Sequence, residues 1–186
     1  MAEMLAAHLQ AVTPRDLPSW MIFDRNLAER VLEDHHMPAR LAKFMPEDRI
    51  SEIQDILDDL FGLHPPTWTL IEKTAETILR LAEAGNVILI GRGGNIITSR
   101  LDYAFHVRLV GSLEARTQFV EVDRHLDRLA AQDLIRHEDE GRRRYLRKYF
   151  HKDIDDPQLY HLIINTPVVG HSTAARLIAN AVLSAP

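Results

Sequence analysis

No cysteine occurs among the 186 residues. A disulfide framework, a thiolate zinc site and a cysteine nucleophile are thereby excluded, and the composition suits a reducing compartment. No glycine precedes Gly62. No G-x-x-x-x-G-K-[ST], HExxH or GxSxG stretch occurs anywhere. The sequence thus encodes no Walker-type phosphate loop, no zincin helix and no hydrolase elbow. Long apolar runs are also absent. Val87–Ile90 and Leu162–Ile164 are far too short to span a bilayer, which predicts no membrane partner. The start, MAEMLAAHLQ, lacks the basic-then-apolar layout of a signal peptide, which predicts a cytoplasmic protein. An excess of basic residues is lacking too. Twenty-seven acids against twenty-two bases give a net charge of −5, which argues against a globally basic nucleic-acid binder and predicts no nucleic-acid partner.

What is present is an ordinary globular balance, 46% apolar and 26% charged. The length predicts a single domain over residues 1–186, able to bury a core without a metal or disulfide staple. Leu5, Ala6, Leu9 and Val12 share one helical face, and Thr13 and Pro14 end that helix. Met21–Phe23 reads as a short strand, with Asp24 as a helix cap before Leu27 and Val31. Further helices are expected over Leu41–Phe44 and Ile50–Leu60. Thr69–Ala84 is strongly amphipathic and stops at Gly85. Asn86–Ile90 is a continuous aliphatic run, which suits a strand buried on both faces. Phe105–Val110 and His161–Asn165 are two more candidate strands, and Thr173–Leu183 is a final helix. The alternation predicts an α/β fold with a mostly parallel sheet.

Three stretches could carry chemistry. Gly91-Arg92-Gly93-Gly94 directly follows the aliphatic strand, at the edge where open parallel sheets bind ligands. Glycines there let the backbone approach a ligand, and an arginine can fork onto a phosphate; a plain strand-to-helix turn with a solvated arginine is the competing reading. Residues 136–152 hold Arg142, Arg143, Arg144, Arg147 and Lys148, interleaved with Tyr145, Tyr149 and Phe150. Converging arginines neutralise phosphoryl oxygens, whereas Glu138→Arg142, Asp139→Arg143 and Glu140→Arg144 are also the i,i+4 pairs of a merely solvated helix. Gly141 interrupts that pattern, as a mobile lid would allow. Asp155-Asp156-Pro157 could offer carboxylates to a metal or a ribose, but Asp-Pro and capping propensities favour a turn. The ten histidines include adjacent His35-His36 and show no ligand spacing, so no metal site is expected.

Taken together these segments resemble the cytidylate kinase-like family. NVILIGRGGNIIT at 86–98 is similar to its glycine-arginine segment. Asp139, Arg142 and Tyr145 stand in a D-x-x-R-x-x-Y spacing similar to its arginine-rich lid. DDPQLYHLIINT at 155–166 and IFDRNL at 22–27 are similar to its acidic stretch and its early strand-to-helix junction. The resemblance implies a three-layer P-loop nucleoside-monophosphate kinase fold, with a lid-like segment at about 136–152. It implies transfer of a phosphoryl group from ATP, with magnesium, to a pyrimidine nucleoside monophosphate. On that basis Gly91, Arg92, Gly93 and Asp139 are the substrate-side candidates, with Arg92 on the monophosphate's phosphate. Arg142, Arg144 and Arg147 are the candidates for clamping the transferring group. The chain departs from the family at its start, where the first strand and its phosphate loop are not recognisable and Met1–Leu9 resembles the helix that follows them. A form impaired in ATP binding, or a non-catalytic nucleotide-binding or regulatory protein built on the same fold, follows from that departure. Base preference and oligomeric state stay open.

Overall fold

The computed structural model describes residues 1–14, 16–24, 26–36 and 67–185. The helices expected over Leu41–Phe44 and Ile50–Leu60 lie outside the described residues.

Helix α1 (Ala2–Val12) buries Leu5 and Leu9. It ends where the Thr13 hydroxyl donates to the Leu9 carbonyl, 2.8 Å away. Trp20 then ties the chain back, its indole N–H reaching Thr13 Oγ1 and its backbone N–H reaching Gln10 Oε1. That return places β1 (Met21–Phe23) beside α1. Helix α2 (Asn26–Asp34) packs on α3 (Thr67–Ala84). Leu70, Ile71, Thr74, Ile78 and Leu81 of α3 are buried, as their helical spacing predicts. Gly85 at φ +75° turns the chain into β2 (Val87–Leu89).

Strand β2 pairs in parallel with β1, Met21 opposite Val87 and Phe23 opposite Leu89. The short helix α4 (Gly94–Ile97) follows. Strand β3 (Val107–Val110) pairs in parallel with β4 (Leu162–Asn165), Val107 opposite Leu162 and Val110 opposite Asn165. Between them α5 (Leu113–Arg124) and α6 (Arg128–Phe150) form an antiparallel hairpin. Ser112 caps α5 through the Ala115 N–H, and Asp127 caps α6 through the Ala130 N–H, each satisfying a donor that a helix start leaves open. A 3₁₀ turn (Pro157–Leu159) precedes β4; α7 (Thr166–Val169) and α8 (His171–Ser184) close the described chain.

Side-chain alternation along β2 builds both faces of the core. Val87 and Leu89 pack on the α2–α3 cluster of Leu27, Val31, Leu70, Ile78 and Leu81. Ile88 points the other way, onto the α1–α8 cluster of Leu5, Leu9, Ala174, Ala175 and Ile178. Val107 and Leu162 rest on that same cluster. A third cluster joins Ile71 of α3 to Tyr145, Leu146 and Tyr149 of α6. Strands thus lie between helical layers, the α/β arrangement that the sequence pattern predicts.

Two details differ from the sequence reading. Residues 86–90 are not a continuous strand buried on both faces. Only 87–89 are strand, all three half-buried, and Ile90 is exposed. The reason is sheet width: β1–β2 and β3–β4 are separate two-stranded sheets, and no described strand is hydrogen-bonded between them. The second difference is at the starts of β3 and β4, where Phe105, His106 and His161 precede the ladder and stack as rings instead.

No described helix is long and apolar enough to cross a membrane.

Candidate functional site

The polar focus of the molecule lies on α6. Asp139 accepts from Arg116 Nη1 at 2.8 and 3.1 Å and from Arg142 Nη2 at 3.0 Å. Arg142 also reaches Glu138, at 3.4 Å. Burial pushes the Asp139 carboxyl upward, but the hydrogen bonds from Arg142 and Arg116 outweigh it, and the group sits below the ordinary aspartate range. It is therefore a carboxylate at neutral pH. Arg116 Nε is buried with no hydrogen-bond partner among the described residues. A guanidinium donor in that state is expensive unless something accepts from it.

All of these groups but Asp139 line a cavity of about 570 Å³. Arg116, Glu138 and Arg142 form its charged wall, and Phe119, Ile135, Thr166, Pro167, Gly170 and His171 complete it. The lining comes from the segments that follow β3 and β4, the edge where open α/β sheets bind ligands. Gly111, which follows β3, is what allows α7 so near: a Cβ there would stand 2.8 Å from Pro167 Cγ. Phe119 and His171 meet edge to face at 5.9 Å. A lining that holds Arg116 and Arg142 together with Phe119 and His171 suits an anionic ligand that carries a flat ring.

Gly91, Arg92 and Gly93 make a second feature. Their φ angles are +77°, +60° and +67°, three consecutive left-handed residues at the exit of β2. Glycine adopts that conformation freely, but arginine pays about 1–2 kcal/mol for it. Strain of this kind gathers where a side chain must be aimed. Arg92 is half-buried, and among the described residues its guanidinium has no hydrogen-bond or ion-pair partner. Gly93 is buried against α6, where a Cβ would stand 2.9 Å from Phe150 Cε2 and 3.5 Å from Tyr145 Cε1. The turn thus rests on the helix that carries Asp139 and Arg142.

The other arginines of α6 go elsewhere. At about 100° per residue, Arg144 lies some 160° around the helix from Arg142, and it is exposed. Arg147 is exposed and pairs with Asp153 at 3.4 Å. Arg143 pairs with Asp155 at 3.4 Å rather than with Asp139. Asp155 also takes Arg108 at 2.6 Å, while Asp156 caps the 3₁₀ turn through the Gln158 N–H. The acidic stretch is therefore a turn held by ion pairs. The structure brings together Asp139 and Arg142, and seats Gly93 on the same helix; it places Arg144 and Arg147 on other faces. Gly141 is buried within an unbroken α6.

Sequence reasoning missed Arg116, Phe119 and His171. Arg116 sits in LEARTQF, where it reads as one charge of a solvated helix. Its signal was positional, four residues after the Ser112 cap that follows a strand. His171 starts α8 directly after Gly170 at φ +83°, a break visible only as Val-Val-Gly-His.

The sequence profile described as the cytidylate kinase-like family matches residues 1–167. A search of curated proteins finds no match. Among solved structures, the crystal structure of an uncharacterized protein from Eubacterium ventriosum is similar, with a TM-score of 0.55 and 18% identity. The alignment covers 85% of this chain and 90% of that one, a likeness of fold.

Proposed function

Because the chain belongs to the cytidylate kinase-like family, we propose that it binds a pyrimidine nucleoside monophosphate, with Arg92 on the phosphate and Arg142 facing the group to be transferred. One observation carries this reading: an arginine held in a left-handed turn, without a partner among the described residues, on the helix whose Asp139 aligns Arg116 and Arg142. In the transfer, a phosphate oxygen of the monophosphate attacks the γ-phosphorus of ATP, the bond to the bridging oxygen breaks, and ADP leaves. Such chemistry asks the protein for position and positive charge rather than for a nucleophile. Arg92 supplies the first, Arg142 the second, and the ionised Asp139 keeps Arg142 extended. Arg116 and Phe119 suit the nucleotide end of the donor. Arg144 and Arg147, on outer faces of α6, would reach a phosphate only if the segment 136–152 moved as a lid.

Two parts of the chemistry are not met by these residues. No three histidine, aspartate or glutamate side chains gather among the described residues, so they form no cage for magnesium, which would come on the nucleotide's own phosphates. Residues 1–186 also encode no Walker loop. The absence of a Walker motif from residues 1–186, with no described strand joining β2 to β3, favours a second reading, a non-catalytic nucleotide-binding protein on the same fold.

Isothermal titration with CMP and with magnesium-ATP tests the first claim, and ADP formation separates the two readings. CMP is expected to bind the 186-residue chain. No heat with CMP at millimolar concentration contradicts the monophosphate site. Steady ADP formation that depends on CMP contradicts the non-catalytic reading.

A further inference from the structure

The turn carrying Arg92 and the helix carrying Arg142 meet at one tight contact. Gly93 is buried at φ +67°, and its missing Cβ would fall 2.9 Å from Phe150 Cε2 and 3.3 Å from Phe150 Cζ. Phe150 is the last residue of α6. Its ring is braced by Tyr145, edge on at 5.6 Å, and Tyr145 is braced by Tyr149 at 5.4 Å. Tyr145 is 1% exposed, so the brace has little room to shift. Tyr145 lies one turn from Arg142 and two from Asp139 along the same helix. Phe150 and Arg142 are about 12 Å apart along the axis at 1.5 Å per residue. That span is of nucleotide size.

We propose that Phe150 is a positioning residue: its ring, seated on Gly93, sets the left-handed turn so that Arg92 stands at a fixed distance from Arg142. The proposal rests on the reading of Arg92 as the phosphate ligand. It goes beyond that reading by assigning control of affinity to Phe150 through its contact with Gly93. Close-packed rings transmit a displacement rather than absorb it. Any tilt of α6 therefore carries Arg92 with it.

The test uses the full chain and four variants: Arg92→Ala, Gly93→Ala, Phe150→Ala and the double Gly93→Ala/Phe150→Ala. Amide chemical shifts of residues 91–94 give a readout without ligand, CMP titration gives affinity, and thermal melts report folding. Phe150→Ala is expected to shift the 91–94 amides. Gly93→Ala is expected to weaken CMP binding by about tenfold or more, because the added methyl overpacks the contact. Removing the ring in the double variant is expected to restore most of that affinity, although the left-handed strain at residue 93 remains. A folded double variant no better than Gly93→Ala overturns the proposal, since strain alone would then explain the loss. Unmoved amides in Phe150→Ala overturn it even if Gly93→Ala fails to fold. Undiminished CMP binding in Arg92→Ala, with the amides of 91–94 behaving as expected, instead overturns the phosphate-ligand reading and leaves the contact standing.

Discussion

Arg92 shows how one residue can trade stability for aim. Arginine in the left-handed region costs about 1–2 kcal/mol, and glycine there returns about 0.5–1 kcal/mol of that to the unfolded chain. Arg92→Gly is therefore expected to stabilise the fold by about 0.5–1 kcal/mol while losing CMP affinity; urea unfolding beside titration checks both, and a destabilised variant contradicts the strain. Asp139 works in the opposite direction. Its carboxyl is held below the ordinary range, so its contribution to stability is present above about pH 4 and is lost as pH falls through the lower folded value. Asp139→Asn is expected to cost about 1 kcal/mol near neutral pH, the arginine partners being more than a third exposed. That deficit shrinks in acid, where the native carboxylate is protonated too. A deficit constant from pH 7 to pH 3 contradicts the assignment. At this scale the sequence singled out Arg92, Asp139 and Arg142, because unusual residues stood beside glycines or in a fixed spacing, and the structure pairs Arg142 with Asp139. It was silent on Arg116, since a guanidinium on an amphipathic helix looks the same whether solvent or a buried carboxylate receives it.

Among the elements, the starts of β3 and β4 hold the clearest proton-sensitive contact. The His106 backbone N–H donates to His161 Nδ1 at 2.9 Å, so that nitrogen carries no proton. Thr98 gives its hydroxyl proton to the Gly94 carbonyl, so the His106 Nε2–H donates to Thr98 Oγ1 at 2.9 Å. The two rings stack with centroids 4.9 Å apart. No carboxylate of the described residues pairs with either ring. Burial, and then the neighbouring His161, hold His106 below the ordinary histidine value. The unfolded chain takes up the proton first as pH falls, so stability is full above about pH 6.5 and declines from there down through the folded value. His106→Gln retains a donor for Thr98 without the titration. Its urea midpoint is expected to fall less between pH 7.5 and pH 5.5 than that of the parent, and equal falls contradict the account. Gly111 gives an element-scale test of the cavity. Gly111→Ala presses on Pro167 and is expected to cost about 1–3 kcal/mol, read by thermal denaturation; an unchanged melt contradicts the close approach of α7. Element identity was legible from periodicity along α1, α3 and α8. The exact starts of β3 and β4 were not, because Phe105, His106 and His161 have strand-compatible neighbours and the His161 N–H still donates to the His106 carbonyl across the pair, 2.8 Å away.

At the scale of the whole molecule, the helical layers are continuous while the sheet is not. Ile88 and Val107 rest on the same α1–α8 cluster, yet β2 and β3 share no ladder. Among the described residues no strand pairs with the facing edges of β2 and β3. The α/β class was readable from the alternation of elements. The division into two sheets was not readable, because each strand's own sequence is aliphatic enough to sit in a wide sheet. In the reading proposed above, α6 is the common support for a ligand, with the Arg92 turn seated near its end through Gly93 and Arg142 two turns away. Mapping CMP onto that support by amide and arginine side-chain chemical shifts tests the central claim most directly. The account predicts saturable shifts that include Gly91–Gly94 and Arg142 and leave the Arg108–Asp155 pair little changed. Saturable shifts confined to surfaces away from α6, or none at all, contradict it.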